Sequence, residues 1–226
     1  MLKKSFIALA VLSLIVLFTG CGGDDQTKSV VTEKPAYSAD KAVLAYAEMY
    51  AFGVSDHLPE AGLTEKDTEQ ISDDIVGEFV ESFAEFPLNE ENVAAMTTNY
   101  LAKLMLAMDI KTTLKTDDPE NPVVTLTATT INETEAIKMA ETNPDILGLG
   151  TALGQLQSEG YTVDQLKSNP EFQKAAMECI DNFINEIPLN PEKSIDVPCK
   201  KVEGSDGKVY WAPKDPVAVM NFVHSK

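Results

Sequence analysis

A chain of 226 residues with 44% hydrophobic content is long enough for one substantial core and too apolar to be disordered. Its formal charge is −18, and all 18 of its basic side chains are lysines. Without arginine's planar fork, and with so strong an acidic excess, the composition excludes nucleic acid as a partner and sets the body of the protein against anionic lipid.

In chain order, Lys3 and Lys4 precede an apolar run from Ser5 to Phe18, which ends in the small residues Thr19 and Gly20. This is the pattern of a secretory signal peptide over residues 1–20; a bilayer span takes about 20 apolar residues. Leu17-Phe18-Thr19-Gly20-Cys21 resembles the lipobox of bacterial lipoproteins, with Phe18 where that family most often has leucine. The resemblance implies that Cys21 is lipidated and becomes the mature N-terminus. It further implies an extracytoplasmic protein held at the cell membrane or outer membrane by acyl chains such as palmitate, its membrane partner. One acyl chain binds marginally, whereas two or more anchor stably. The alternative is an ordinary cleaved signal followed by a chance cysteine. Residues 21–37, opening with Gly22-Gly23-Asp24-Asp25, hold no helical or strand period and read as a flexible tether with a reach on the order of 20 Å.

Residues 38–226 read as a single domain. Ser38 is placed to cap a helix ending at Phe52-Gly53, and Val54 to Gly62 is a loop. Thr64 opens a second helix, with Ile71, Ile75, Phe79, Phe83 and Phe86 at helical spacing up to Pro87. Asn89 opens a third, through about Leu106, burying Val93, Met96, Tyr100, Leu101 and Leu104. The period then changes. Ile110, Thr112 and Leu114 alternate with Lys111, Thr113 and Lys115, and Val123 to Ile131 is dense in Val and Thr, which predicts an antiparallel hairpin. Helical patterns resume at Asn132, Ile146, Thr162 and Glu171, with Asn143-Pro144 and Asn169-Pro170 as breaks. Ser194–Val202 and Lys208–Ala212 make a second strand pair, with Pro198 pointing to an edge or a bulge, and a short helix over 216–224 closes the chain.

Candidate chemistry is sparse. Ser55-Asp56-His57 holds the three residue types of a hydrolytic triad, but neighbouring residues point apart where a triad must converge. Gly148, Gly150 and Gly154 follow a helix break instead of a strand, so they read as small residues for close helix packing and not as a phosphate loop. Asp117-Asp118-Pro119-Glu120-Asn121 offers oxygens to calcium without the spacing of an EF-hand, and a solvated turn is the stronger reading. No metal cluster or cofactor motif is present. Tyr210 and Trp211 alternate, which puts one aromatic inward and the other outward, where it marks a binding face or covers a sheet edge.

Three cysteines occur. With Cys21 lipidated, Cys179 and Cys199 are left as an even pair in an extracytoplasmic protein. Cys179 lies on the apolar stripe of its helix and Cys199 shares strand parity with Ile195 and Val197. A helix laid on the strand that follows it would join them in a disulfide that stabilises the fold by roughly 3 kcal/mol. The alternative is two buried thiols packing as small hydrophobes.

The sum is an α+β domain, with helices over one face of a roughly four-stranded antiparallel sheet. Together with the lipobox and stretches such as Asp117-Asp118-Pro119-Glu120-Asn121-Pro122-Val123-Val124, it resembles uncharacterised lipoproteins of Firmicutes-type bacteria that carry a cystatin-like domain of unknown function. That resemblance implies a cystatin-like form and brings no catalytic residues. Two functional readings follow. One is a non-catalytic, membrane-tethered binding or interaction module. The other is a small-molecule binder or enzyme with a pocket between sheet and helices, where Glu78, Glu81, Glu85 or Asp109 supplies the acid or base.

Overall fold

The computed structural model describes residues 34–82 and 86–225. Eight α-helices and four strands follow one another in the order α1 (Ala39–Phe52), a 3-10 turn (Leu58–Ala61), α2 (Glu65–Ser82), α3 (Glu90–Ala107), β1 (Lys111–Thr116), β2 (Val123–Ala128), α4 (Glu133–Thr142), α5 (Pro144–Ser158), α6 (Val163–Lys167), α7 (Pro170–Glu186), β3 (Lys193–Glu203), β4 (Val209–Pro213) and α8 (Pro216–Val223).

Asparagine sets half of the helix starts. The Asn89, Asn132, Asn143 and Asn169 side chains each accept a backbone N–H from the first turn that follows. At Asn143-Pro144 and Asn169-Pro170 the break and the next start are the same residues, because proline at the first helical position has no N–H to leave unpaired. Thr162 and Gln165 close a reciprocal capping box on α6. Ser38 occupies the cap position of α1 in extended conformation, yet its side chain makes no capping bond.

The sheet is antiparallel throughout, in the order β1-β2-β3-β4. Both hairpins pair as the strand patterns require, and β2 lies against β3. β3 therefore sits inside the sheet, but it changes partner at its middle. Lys193–Pro198 pair with β2, and Cys199–Glu203 pair with β4. Pro198 falls at this handover, where a strand tolerates a residue with no N–H.

Over β1, β2 and the first half of β3, one face of the sheet is covered and the other is wet, whereas β4 is buried on both faces. Val124, Leu126 and Ala128 of β2 are fully buried, as is Val197 of β3, beneath α1, which crosses β1, β2 and β4. α1 meets them with Ala42, Val43 and Ala45, none of them exposed; alanine lets the helix lie close. On the opposite face Thr125 donates to Asp196 at 3.2 Å, Lys115 pairs with Asp196 at 2.5 Å, and Thr127 shares a hydrogen bond with Ser194 at 2.8 Å. This is the solvated side of an antiparallel sheet.

The remaining helices pack mostly on one another. α7 turns its stripe of Phe172, Ala176, Ile180 and Phe183 inward and lies against α3, α5 and α6. Its Gln173, 5% exposed, donates to the carbonyls of Pro87 and Leu166 at 2.7 and 3.0 Å and accepts from the Asn89 N–H and the Asn92 amide at 3.0 and 2.8 Å. One buried amide thus ties α7 to the α2–α3 connection and to α6.

Three expectations change. Cys179 and Cys199 are both free and buried, and no disulfide joins them. The helices on the covered face of the sheet are α1 and α8, while α7 carries Cys179 into the helical layer. Burial pushes the Cys179 thiol up to about 11, with Asp145 adding to the effect, and the Cys199 thiol up to about 12. Gly148 and Gly154 do not serve close packing, since a Cβ added at either meets nothing within 4 Å. Nor is either aromatic of β4 free, with Trp211 7% and Tyr210 6% exposed. The Tyr210 ring lies against Gly62 and Gly204, and its hydroxyl donates to Asp206 at 2.9 Å.

Residues 34–37, the last of the stretch read as a tether, lie against the domain. Pro35 is buried and the Ala36 N–H donates to the Val209 carbonyl at 3.2 Å.

Candidate functional site

Among the described residues, hydroxyl, imidazole and carboxylate groups gather in a groove of about 1110 Å³, bounded by the loop after α1, the first half of α2 and the end of α3. Its shape begins at Gly53. That residue closes α1 with φ of 71°, its N–H donating to the Met49 carbonyl at 2.9 Å. A Cβ there would come 2.7 Å from the Ser72 Cα, so only glycine lets the end of α1 meet α2 this closely. The chain then runs alongside α2 through residues 54–58. α2 starts where the Asp67 carboxylate accepts both the N–H and the hydroxyl of Thr64, each at 2.7 Å.

Ser55, Asp56 and His57 line this groove. The Ser55 hydroxyl donates to Glu48 at 2.6 Å and accepts the His57 backbone N–H at 3.0 Å. The His57 ring turns to Glu60, with Nδ1 2.9 Å from a carboxylate oxygen. Hydroxyl and imidazole thus face different carboxylates, and no nucleophile–base pair forms. Glu60 also receives Lys41 at 3.0 Å. Partial burial raises the Glu60 carboxyl, but the bonds from Lys41 and His57 outweigh it and hold the group below its ordinary range.

Most of the remaining lining is acidic or apolar, with Lys66, Thr68 and Ser72 among it. Glu65, Glu69 and Asp73 come from α2, Asp109 from the end of the α3–β1 connection, and Val54, Met105 and Leu106 supply carbon. Of the carboxylates considered as an acid or base, Asp109 lines this groove; it is half exposed and paired with Lys111. Glu81 is exposed on α2, whereas the Glu78 side chain and Glu85 lie outside the described residues. Cys21 also lies outside them.

The Asp117–Pro122 turn organises itself. Asp118 accepts the N–H groups of Glu120 and Asn121 at 2.8 and 3.0 Å, which lowers its carboxyl, and Lys201 pairs with Glu120 at 2.7 Å. Among the described residues no group of three His, Cys, Asp or Glu converges as a metal site. A second hollow, about 490 Å³, lies between the starts of α3 and α7 and includes Gln173, whose amide is already fully bonded.

Sequence reasoning passed over Met105 and Leu106 because they fall off the stripe of Met96, Tyr100 and Leu104. That displacement was itself the available signal, since two adjacent apolar side chains off the buried stripe must face something other than the core.

No family model matches the chain, and no curated protein matches it. Among solved structures it is similar to ycdA of Bacillus subtilis, provisionally assigned as a lipoprotein, at 14% identity and a TM-score of 0.42. The match covers 82% of this chain and spans 55% of that one, about half its length. The functional reading therefore rests on the chain's own residues.

Proposed function

We propose that this protein is a lipoprotein tethered outside the cytoplasm through acyl chains on Cys21, and that its domain is a non-catalytic binding module. The observation that carries the second half is the contrast between inside and outside. The space between sheet and helices is filled by Val43, Val124, Leu126 and Val219, all 0% exposed, which supports a module over an enzyme with an internal pocket. The large concave surface lies outside, and its serine and histidine are turned apart. A four-stranded antiparallel sheet crossed by one long helix supports the cystatin-like form. For the first half, the support is the signal pattern and the lipobox at Leu17–Cys21. The acidic body gains nothing from anionic lipid, so attachment falls to the acyl chains.

Metabolic labelling with a fatty-acid probe tests the tether. The wild type is expected to take up label and Cys21→Ser to lose it and be released. A labelled Cys21→Ser protein, or an unlabelled wild type, overturns the reading.

A further inference from the structure

We propose that the groove between the α1 loop, α2 and the end of α3 docks a basic, amphipathic polypeptide segment. This rests on the domain being a binding module and names the chemistry of its partner. Nine large apolar side chains stand exposed among the described residues, and three of them, Val54 at 46%, Met105 at 52% and Leu106 at 86%, line this one groove. Leu106 is the most exposed of the nine. Clustered apolar exposure of this kind marks an interaction surface, and methionine's unbranched thioether adapts to varied partners.

The charge on α2 selects the partner. Glu65, Glu69 and Asp73 recur every four residues, so they form one row along a helix face over roughly 12 Å. None of them enters an ion pair with another described residue, and Lys66 is the one lysine in the lining. Like charges at this spacing repel along the helix, and a cationic ligand relieves that repulsion. A small polyamine answers the carboxylate row but leaves Met105 and Leu106 in water. A chain carrying lysine or arginine on one side and apolar residues on the other answers both.

The test uses the full chain in zwitterionic lipid nanodiscs, with empty discs subtracted, titrated with a labelled peptide of alternating leucine and lysine. Binding is expected to weaken as salt rises, and to be absent for peptides with glutamate in place of lysine or serine in place of leucine. Glu69→Lys with Asp73→Lys is expected to weaken it by about ten-fold or more. The same charge change on α4 and α6, Glu141→Lys with Asp164→Lys, is expected to leave most of it. Leu106→Ser is expected to cost several-fold. Absence of binding, equal loss from the two double reversals, an unchanged Leu106→Ser affinity, or full displacement by spermine at matched charge overturns the proposal. Each of these leaves the tether, read by acyl labelling, standing.

Discussion

The interior beneath α1 and the groove beside it are built partly from the same helices, yet they are opposite in composition. Beneath α1, Ala42, Val43 and Ala45 meet Val124 and Leu126 with no exposure at all. A few turns away, the ends of α1 and α3 and the face of α2 present Val54, Met105 and Leu106 to water beside a row of carboxylates. Groups in the first region are satisfied by the fold itself. Those in the second are left with unmet interactions, and the proposed docking rests on that contrast.

The largest break of this contrast comes from the interior. Leu126→Ala removes a fully buried side chain from the middle of the sheet and is expected to cost about 2–5 kcal/mol, read as a lower urea midpoint. A loss below 1 kcal/mol would mean that the region beneath α1 is loosely packed. Next comes the buried amide. Gln173→Leu strands the Pro87 carbonyl, the Asn89 N–H and the Asn92 amide, each worth about 1–3 kcal/mol when buried without a partner, while the Leu166 carbonyl keeps the Asn169 N–H. Glu69→Gln, in the groove, is expected to stay within about 0.5 kcal/mol of wild type. Similar losses from the two would erase the distinction.

Alkaline pH separates the regions by a different route. Burial raises Tyr50 and Tyr100 to about 12, the latter with help from Glu133, and raises Cys179 and Cys199 to about 11 and 12. Each acid keeps its proton longer folded than unfolded, so the folded state binds more protons between the two values and stability falls as pH rises. Urea midpoints are expected to hold up to about pH 8 and then decline toward 12, first through the two thiols and then through the tyrosines. A flat profile would place these groups in water. A small gain is expected on α5. Gly148→Ala fills open space on a helix and is expected to stabilise by about 0.5–1 kcal/mol, and a destabilised variant would restore the close-packing reading.

Local pattern made the elements legible. Asn89, Asn132 and the Thr162–Gln165 box act within a single turn, and the alternation of Val124, Leu126 and Ala128 displays its own burial. Strand order was less accessible, since the partner change at Pro198 depends on how two hairpins dock. The same gap misplaced Cys179. Its stripe shows that it is buried but not against what, and α1 had already taken the sheet. The groove was hidden for a related reason, because Val54, Glu69 and Leu106 belong to three elements whose meeting depends on the Gly53–Ser72 contact.

The separation of stability from recognition is tested most directly by one variant, Leu106→Ser, measured for both urea midpoint and affinity for the leucine–lysine peptide. The side chain is 86% exposed, so the midpoint is expected to stay within about 0.5 kcal/mol of wild type while affinity falls several-fold. A clearly lowered midpoint, or an affinity equal to wild type, would contradict it.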